Sequence, residues 1–178
     1  PVGEQISEVA TAHGLASDKE ARQEAVKLLD RVHIRDPEEI VNRYPHELSG
    51  GMRQRVGIAA GLMGKPELVV MDEPTTNLDV TTEARILDIV EELKDDLNSA
   101  FLYITHDLGV IARIGDGVEV MYAGQAVERS GIEELFDEPV SAEEEFAGPD
   151  RMYDPETQIG AMRSAGVDAM VHSTTTEL

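Results

Sequence analysis

Two short apolar runs constrain this chain more than any other feature. "LVVM", residues 68–71, and "AFLYIT", residues 100–105, have strand length and no polar alternation along most of their span. Such runs suit strands buried on both faces, as in a parallel sheet covered by helices. Between them Ile86, Leu87, Val90, Leu93 and Leu97 recur at steps of three and four, the spacing of an amphipathic helix. Strand, helix, strand in that order argues for an α/β fold with a mainly parallel sheet.

Helical signals dominate upstream. Ser17 and Glu20 form a capping box ahead of Ala21, Ala25, Leu28, Leu29 and Val32. Pro37 in "RDPEE" ends that helix. "ELSGG" opens the next, with Ser49 as N-cap and Met52, Val56, Ala59 and Met63 on one face; it ends around Gly64-Lys65-Pro66. Two glycines in a first turn are unfavourable to backbone entropy. A bare backbone there implies that something comes close, and free amides at a helix N-terminus attract anions. Downstream, residues 108–114 read as a short helix and "GVEVMYAGQAVERS" as two strands around Ala123-Gly124. "IEELF" reads as one or two helical turns. After Phe136 the chain is acidic, interrupted by proline and without periodicity, as expected of a loop or tail. The terminal "VHSTTTEL" is expected to fray. The expected division is 1–66 helical, 67–136 a sheet core, and 137–178 a poorly ordered acidic tail.

Charge and composition exclude several functions. A net charge of -21 argues against sequence-independent nucleic-acid binding, which needs a basic surface. No run approaches the roughly eighteen apolar residues of a membrane-spanning helix. Cysteine is absent, so thiolate metal sites and disulfides are excluded in this chain. The only lysines are Lys19, Lys27, Lys65 and Lys94. A carboxylate-dense, lysine-poor surface suits high salt, where screening tolerates it, and resembles proteins of salt-loving organisms.

Chemistry is expected beyond the carboxyl ends of the two strands, where parallel α/β sheets bind ligands. Asp72 and Glu73 follow the first strand and His106 the second. An acid at such a strand end can hold magnesium through water beside a phosphate, the next acid can polarise an attacking water, and an imidazole can contact the terminal phosphate. Singly, each has a plainer reading. "DEP" is often a turn, Ser49 and Asp79 are helix caps, His106 a structural or exposed histidine, and Arg53 and Arg55 a solvated face or ion-pair partners.

Their order changes that balance. "LSGGMRQRV", a helix, "ELVVMDEPTTNLD", a second helix and "FLYITHD" together resemble the ATP-binding subunits of ABC transporters. "YPHELSGGMRQRV", "DEPTTNLDVTTEARIL", "ITHDLGVIA" and "VMYAGQAVE" look most like the oligopeptide and dipeptide importers, and the resemblance covers residues 1–139. It implies a P-loop NTPase-like parallel sheet with flanking helices plus an ABC helical subdomain, as part of an ABC ATPase domain. It also implies that Ser49, Gly50 and Gly51 are the signature motif, which meets the γ-phosphate of ATP held by a second ATP-binding subunit in a head-to-tail dimer. Asp72 then corresponds to the Walker B acid associated with magnesium, Glu73 to the general base, Asn77, Leu78 and Asp79 to the D-loop, and His106 to the switch histidine. ATP and Mg2+ are the implied ligands. Transmembrane permease subunits, and indirectly an extracellular solute-binding protein, are the implied partners, with the subunit peripheral on the cytoplasmic face of the membrane.

The sequence departs from this pattern. No G-x-x-x-x-G-K-S/T occurs, so the Walker A cradle is missing from these 178 residues. The expectation is therefore the C-terminal part of a longer subunit, or a truncated product, inactive alone. The alternative is a non-catalytic partner or remnant that contributes only a signature motif. Met52 stands where many ABC proteins have Gln, Asn77 replaces a small residue, and "VSAEEEF" replaces a His-Pro-Tyr-Thr run. ABC proteins of DNA repair would need long heptad runs, and translation-associated ones tandem cassettes; neither fits here.

Overall fold

Ser17 caps the helix that follows it. Its hydroxyl accepts from the Glu20 amide while the Glu20 carboxylate accepts from the Ser17 amide at 3.0 Å, opening α2 (Asp18–Arg31). The structure, a computed structural model, describes residues 1–122, 124–132 and 169–173. The chain divides into two compact units, Pro1–Val69 with Pro74–Ala100, and Val70–Glu73 with Phe101–Leu178.

The first unit is helical. Besides α2 it holds α1 (Val2–Ala12), α3 (Pro37–Ile40), a 3-10 turn (Pro45–Glu47), α4 (Gly50–Leu62) and α5 (Val80–Asp96). Helix α1 was not legible in the sequence. It buries Val2, Ile6 and Ala10, one turn apart, together with Gly3 and Ser7. It lies tight against the chain after α3: the Gly3 amide donates to Val41 O at 2.9 Å, and a β-carbon on Gly3 would sit 2.4 Å from Val41 Cγ2. Helices α1, α2 and α4 pack on one another around Ile6, Ala21, Ala25, Leu29 and Ala59, all fully buried. Helix α5 buries Ile86, Leu87, Ile89, Val90 and Leu93. It groups with these helices in the first unit. Arg31 reaches Asp96 and His33 reaches Glu92, each at 3.0 Å, across exposed surface between the end of α2 and α5. Pairs so exposed contribute little stability.

The second unit holds most of the sheet. The strands are β1 (Leu68–Asp72), β2 (Ala100–Thr105), β3 (Gly117–Tyr122), β4 (Gln125–Gly131) and β5 (Ala169–Ser173), in the order β1-β2-β5-β3-β4, with α6 (Leu108–Ile114) after β2. Bonds from Ala100 N to Glu67 O and from Glu73 N to Ile104 O advance together along β1 and β2, so this pair is parallel. The α/β class therefore holds. Beyond β2 the described sheet is antiparallel, because β5 runs against both β2 and β3, and β3 and β4 form the expected hairpin. Gly124, at its turn, takes φ +77°, a conformation open to glycine.

Two expectations are corrected here. Strand β1 is not buried on both faces: Val69 and Met71 are buried, but Leu68 and Val70 are 52% and 55% exposed. Its residues alternate, so one face is covered by the described elements and the other is open. Residues 171–173, the start of the segment expected to fray, instead complete β5, where pairing on both sides satisfies the backbone; residues 174–178 lie outside the described residues. "IEELF" beyond Ile132, most of the acidic tail and Ala123 lie outside the described residues.

Candidate functional site

The residues singled out in the sequence fall into two groups, one in each unit. The helical group gathers at the start of α4. Ser49 is extended (φ -65°, ψ 165°), and its Oγ accepts from the Met52 amide at 3.3 Å, as an N-cap does. Ser49 and Gly50 are exposed, and Gly51 is half-buried. The two arginines that follow are not simply a solvated face. Arg53 donates to Leu48 O at 2.7 Å, and Arg55 donates to Gly51 O at 3.3 Å and His33 O at 2.7 Å. Both guanidinium groups thus bind main-chain carbonyls of the turn that carries the glycines. Burial, and then the nearby Arg85, lowers the pKa of Arg55; a guanidinium starts so high that it stays charged.

The glycines are not equivalent. A β-carbon on Gly50 would meet only Leu78 Cδ2, at 3.8 Å. On Gly51 it would lie 2.4 Å from Thr82 Cγ2, in the first turn of α5. Thr82 is held in turn by Asp79, which caps α5. Asp79 Oδ1 accepts from the Thr82 amide at 3.0 Å and Oδ2 from the Thr82 hydroxyl at 2.7 Å. These bonds, the hydroxyl first and then the amide, hold the Asp79 carboxyl below its ordinary pKa. Asn77, just before, takes φ +65°, the left-handed region that asparagine tolerates better than most side chains.

The strand-end group lies in the other unit. Asp72 is the last residue of β1 and is exposed. Glu73 follows at φ +42°, held by its amide bond to Ile104 O at 2.9 Å. A non-glycine residue in that region is strained by about 1–2 kcal/mol. Its Oε1 lies 2.8 Å from Nδ1 of His106, just after β2. An ionised carboxylate can only accept, so with Glu73 ionised the imidazole donates from Nδ1. Asp107 caps α6, accepting from the Gly109 amide at 2.8 Å. The structure thus brings Glu73 and His106 into contact. It brings Gly51 and Asp79 together through Thr82, a residue the sequence reading passed over. Among the described residues, no three His, Cys, Asp or Glu side chains are grouped so as to hold a metal by themselves.

The ABC transporter family profile matches residues 2–76, a span that contains Ser49, Gly50, Gly51, Asp72 and Glu73. The oligopeptide transport ATP-binding protein OppD of Bacillus subtilis (strain 168) is 50% identical over 138 residues, covering 78% of this chain and 38% of that protein. OppD of Lactococcus lactis subsp. cremoris (strain SK11) is 47% identical over 138 residues, covering 78% of this chain and 41% of its own length. The chain belongs to the ABC transporter family of ATP-binding proteins. The glutathione import ATP-binding protein GsiA of Salmonella choleraesuis (strain SC-B67) is 49% identical over 138 residues, covering 78% of this chain and 22% of its own. The chain thus spans about two-fifths or less of the length of these relatives. Among solved structures, the dimeric ABC transporter cassette MJ0796 aligns with a TM-score of 0.62 at 28% identity, covering 74% of this chain and 56% of that one. The same cassette bound to ADP and Pi aligns with a TM-score of 0.56, covering 66% of this chain and 49% of that one. ABC membership accounts for the order of the motifs along the chain and for the α/β class.

Proposed function

We propose that this chain forms the signature and Walker B part of an ATPase subunit that energises peptide import across the cell membrane. The observation that carries this reading is the Glu73–His106 contact of 2.8 Å at the ends of two parallel strands, with Glu73 in a strained conformation directly after Asp72. Strain of this kind persists where a side chain must be aimed. Glu73 takes the proton of the attacking water. His106 orients Glu73 through Nδ1 and faces the terminal phosphate. Asp72 would hold Mg2+ through water, and the ion would neutralise phosphate charge.

Ser49, Gly50 and Gly51 present the first turn of α4 to the γ-phosphate of ATP held by a second ATP-binding subunit, and Asp79 acts from the D-loop. By motif, residues 1–66 serve as the signature-bearing helical part, 67–136 as part of the ATPase core, and 137–178 as an acidic tail. These residues contain no Walker A sequence; on this reading they do not supply the main phosphate cradle. Relatives named for oligopeptide and glutathione transport support a peptide-class solute; the proposal extends to dipeptides on the sequence resemblance. Permease subunits are the direct membrane partners, and a solute-binding protein acts indirectly. No helix among the described residues is long and apolar enough to cross a membrane, in keeping with peripheral attachment at the cytoplasmic face. The net charge of -21 supports work in high salt.

The second reading is a non-catalytic partner that lends only its signature turn. ATP turnover of the complete encoded subunit, compared with Glu73→Gln, separates the two. The catalytic reading expects retained ATP binding and a loss of at least about a hundredfold in turnover, the scale of a general base. Equal turnover in both proteins refutes it.

A further inference from the structure

We infer that Thr82 is a positioning residue for the signature turn: gripped by Asp79, it sets the seat of Gly51 in the same chain. This inference rests on the signature reading of Ser49 to Gly51. Opening a helix with two glycines is usually explained by the ligand that must approach the backbone, and that explanation treats the two alike. The structure separates them. Gly50 has room for a β-carbon, with Leu78 Cδ2 at ordinary contact distance, 3.8 Å. Gly51 has none: the same atom would stand 2.4 Å from Thr82 Cγ2, while Thr82 Cβ and Oγ1 would remain at 3.7 and 3.8 Å. A single methyl group therefore makes the conflict.

That methyl cannot easily move. A β-branched side chain has few χ1 wells. The one Thr82 occupies is fixed by its hydroxyl on Asp79 Oδ2 at 2.7 Å, with its amide on Oδ1 at 3.0 Å. Nor can the signature turn readily back away. Ser49 caps it, Arg53 holds Leu48 O and Arg55 holds Gly51 O. The D-loop aspartate, Thr82 and Gly51 thus form one rigid chain of contacts within the helical unit. Asp79 consequently acts on the signature turn of its own chain, in addition to whatever it does across a dimer.

The test is a double-mutant cycle in the complete encoded subunit, reading ATP turnover and thermal midpoint. Thr82→Ser removes the offending methyl and keeps the hydroxyl on Asp79. Gly51→Ala is expected to lower turnover about tenfold or more in the Thr82 background, and less than about threefold in the Thr82→Ser background, a coupling within the range for residues in contact. The midpoint should recover in the same pattern. Thr82→Ser should not relieve Gly50→Ala, whose β-carbon meets Leu78 Cδ2 and no atom of Thr82. An equal loss from Gly51→Ala in both backgrounds overturns the inference, as does a Gly51→Ala protein that misfolds with or without Thr82→Ser. The signature reading fails separately. If Ser49→Ala and Gly51→Ala both leave turnover unchanged while the midpoints still couple, Thr82 seats the turn but the turn does not serve ATP.

Discussion

Gly3→Ala sets two physical effects of opposite sign against each other. In an exposed helix interior, replacing glycine by alanine stabilises by about 0.8–1 kcal/mol. Here the added β-carbon would lie 2.4 Å from Val41 Cγ2 and 2.8 Å from Val41 O. The second contact is with backbone, which cannot rotate away. Relieving it means lifting the start of α1 from Val41, stretching the bonds from Gly3 N to Val41 O at 2.9 Å and from Val2 N to Arg43 O at 2.7 Å. Overpacking of this kind is destabilising by about 1–3 kcal/mol, and weakening the two bonds adds about 0.5–1.5 kcal/mol each at most. Subtracting the propensity gain leaves a net loss of about 1–5 kcal/mol, enough to lower the midpoint of a domain this size by several degrees. Thermal unfolding of the complete subunit, Gly3→Ala beside wild type, is the assay. An unchanged or raised midpoint would mean that helix propensity wins and that α1 does not dock on Val41 as described.

Three further outcomes follow from the same geometry. Asn77→Ala at φ +65° should destabilise by about 1 kcal/mol, and Asn77→Gly should not, as read from denaturant midpoints. Asp79 has its carboxyl pKa lowered by Thr82, so the ionised form contributes stability that is full above the ordinary carboxylate range and lost as pH falls through the lowered value. The midpoint gap between wild type and Asp79→Asn should therefore narrow as pH is lowered through that window; a gap that widens would contradict it. With a net charge of -21, the thermal midpoint should rise steadily with KCl as repulsion is screened, whereas a flat response would count against salt adaptation.

What was legible in the sequence was local. Ser17 with Glu20, Ser49 before α4 and Asp79 before α5 are caps whose partners lie three residues on, so spacing alone reveals them. The apolar faces of α2 and α5 and the two parallel strands were readable for the same reason. Helix α1 was missed because its buried face mixes Val2 and Ile6 with Gly3, Ser7 and Ala10, which carry little hydrophobic signal. Strand β5 was missed because its partners, β2 and β3, lie more than forty residues away in sequence, and non-local pairing leaves no local mark. In the candidate site, that Glu73 and His106 lie at neighbouring strand ends was readable from their places directly after β1 and β2. The left-handed backbone of Glu73, the carbonyl bonds of Arg53 and Arg55, and the methyl of Thr82 against Gly51 were not, because each depends on distances that only the folded chain defines.

The most direct test of the account is the oligomeric state of the complete subunit carrying Glu73→Gln, measured by light scattering with ATP and with ADP. If Glu73 is the base and the signature turn meets ATP on a second subunit, ATP is bound but not consumed, and the protein is dimeric with ATP and monomeric with ADP. The same mass under both nucleotides, with turnover equal to wild type, would contradict the account at both of its claims.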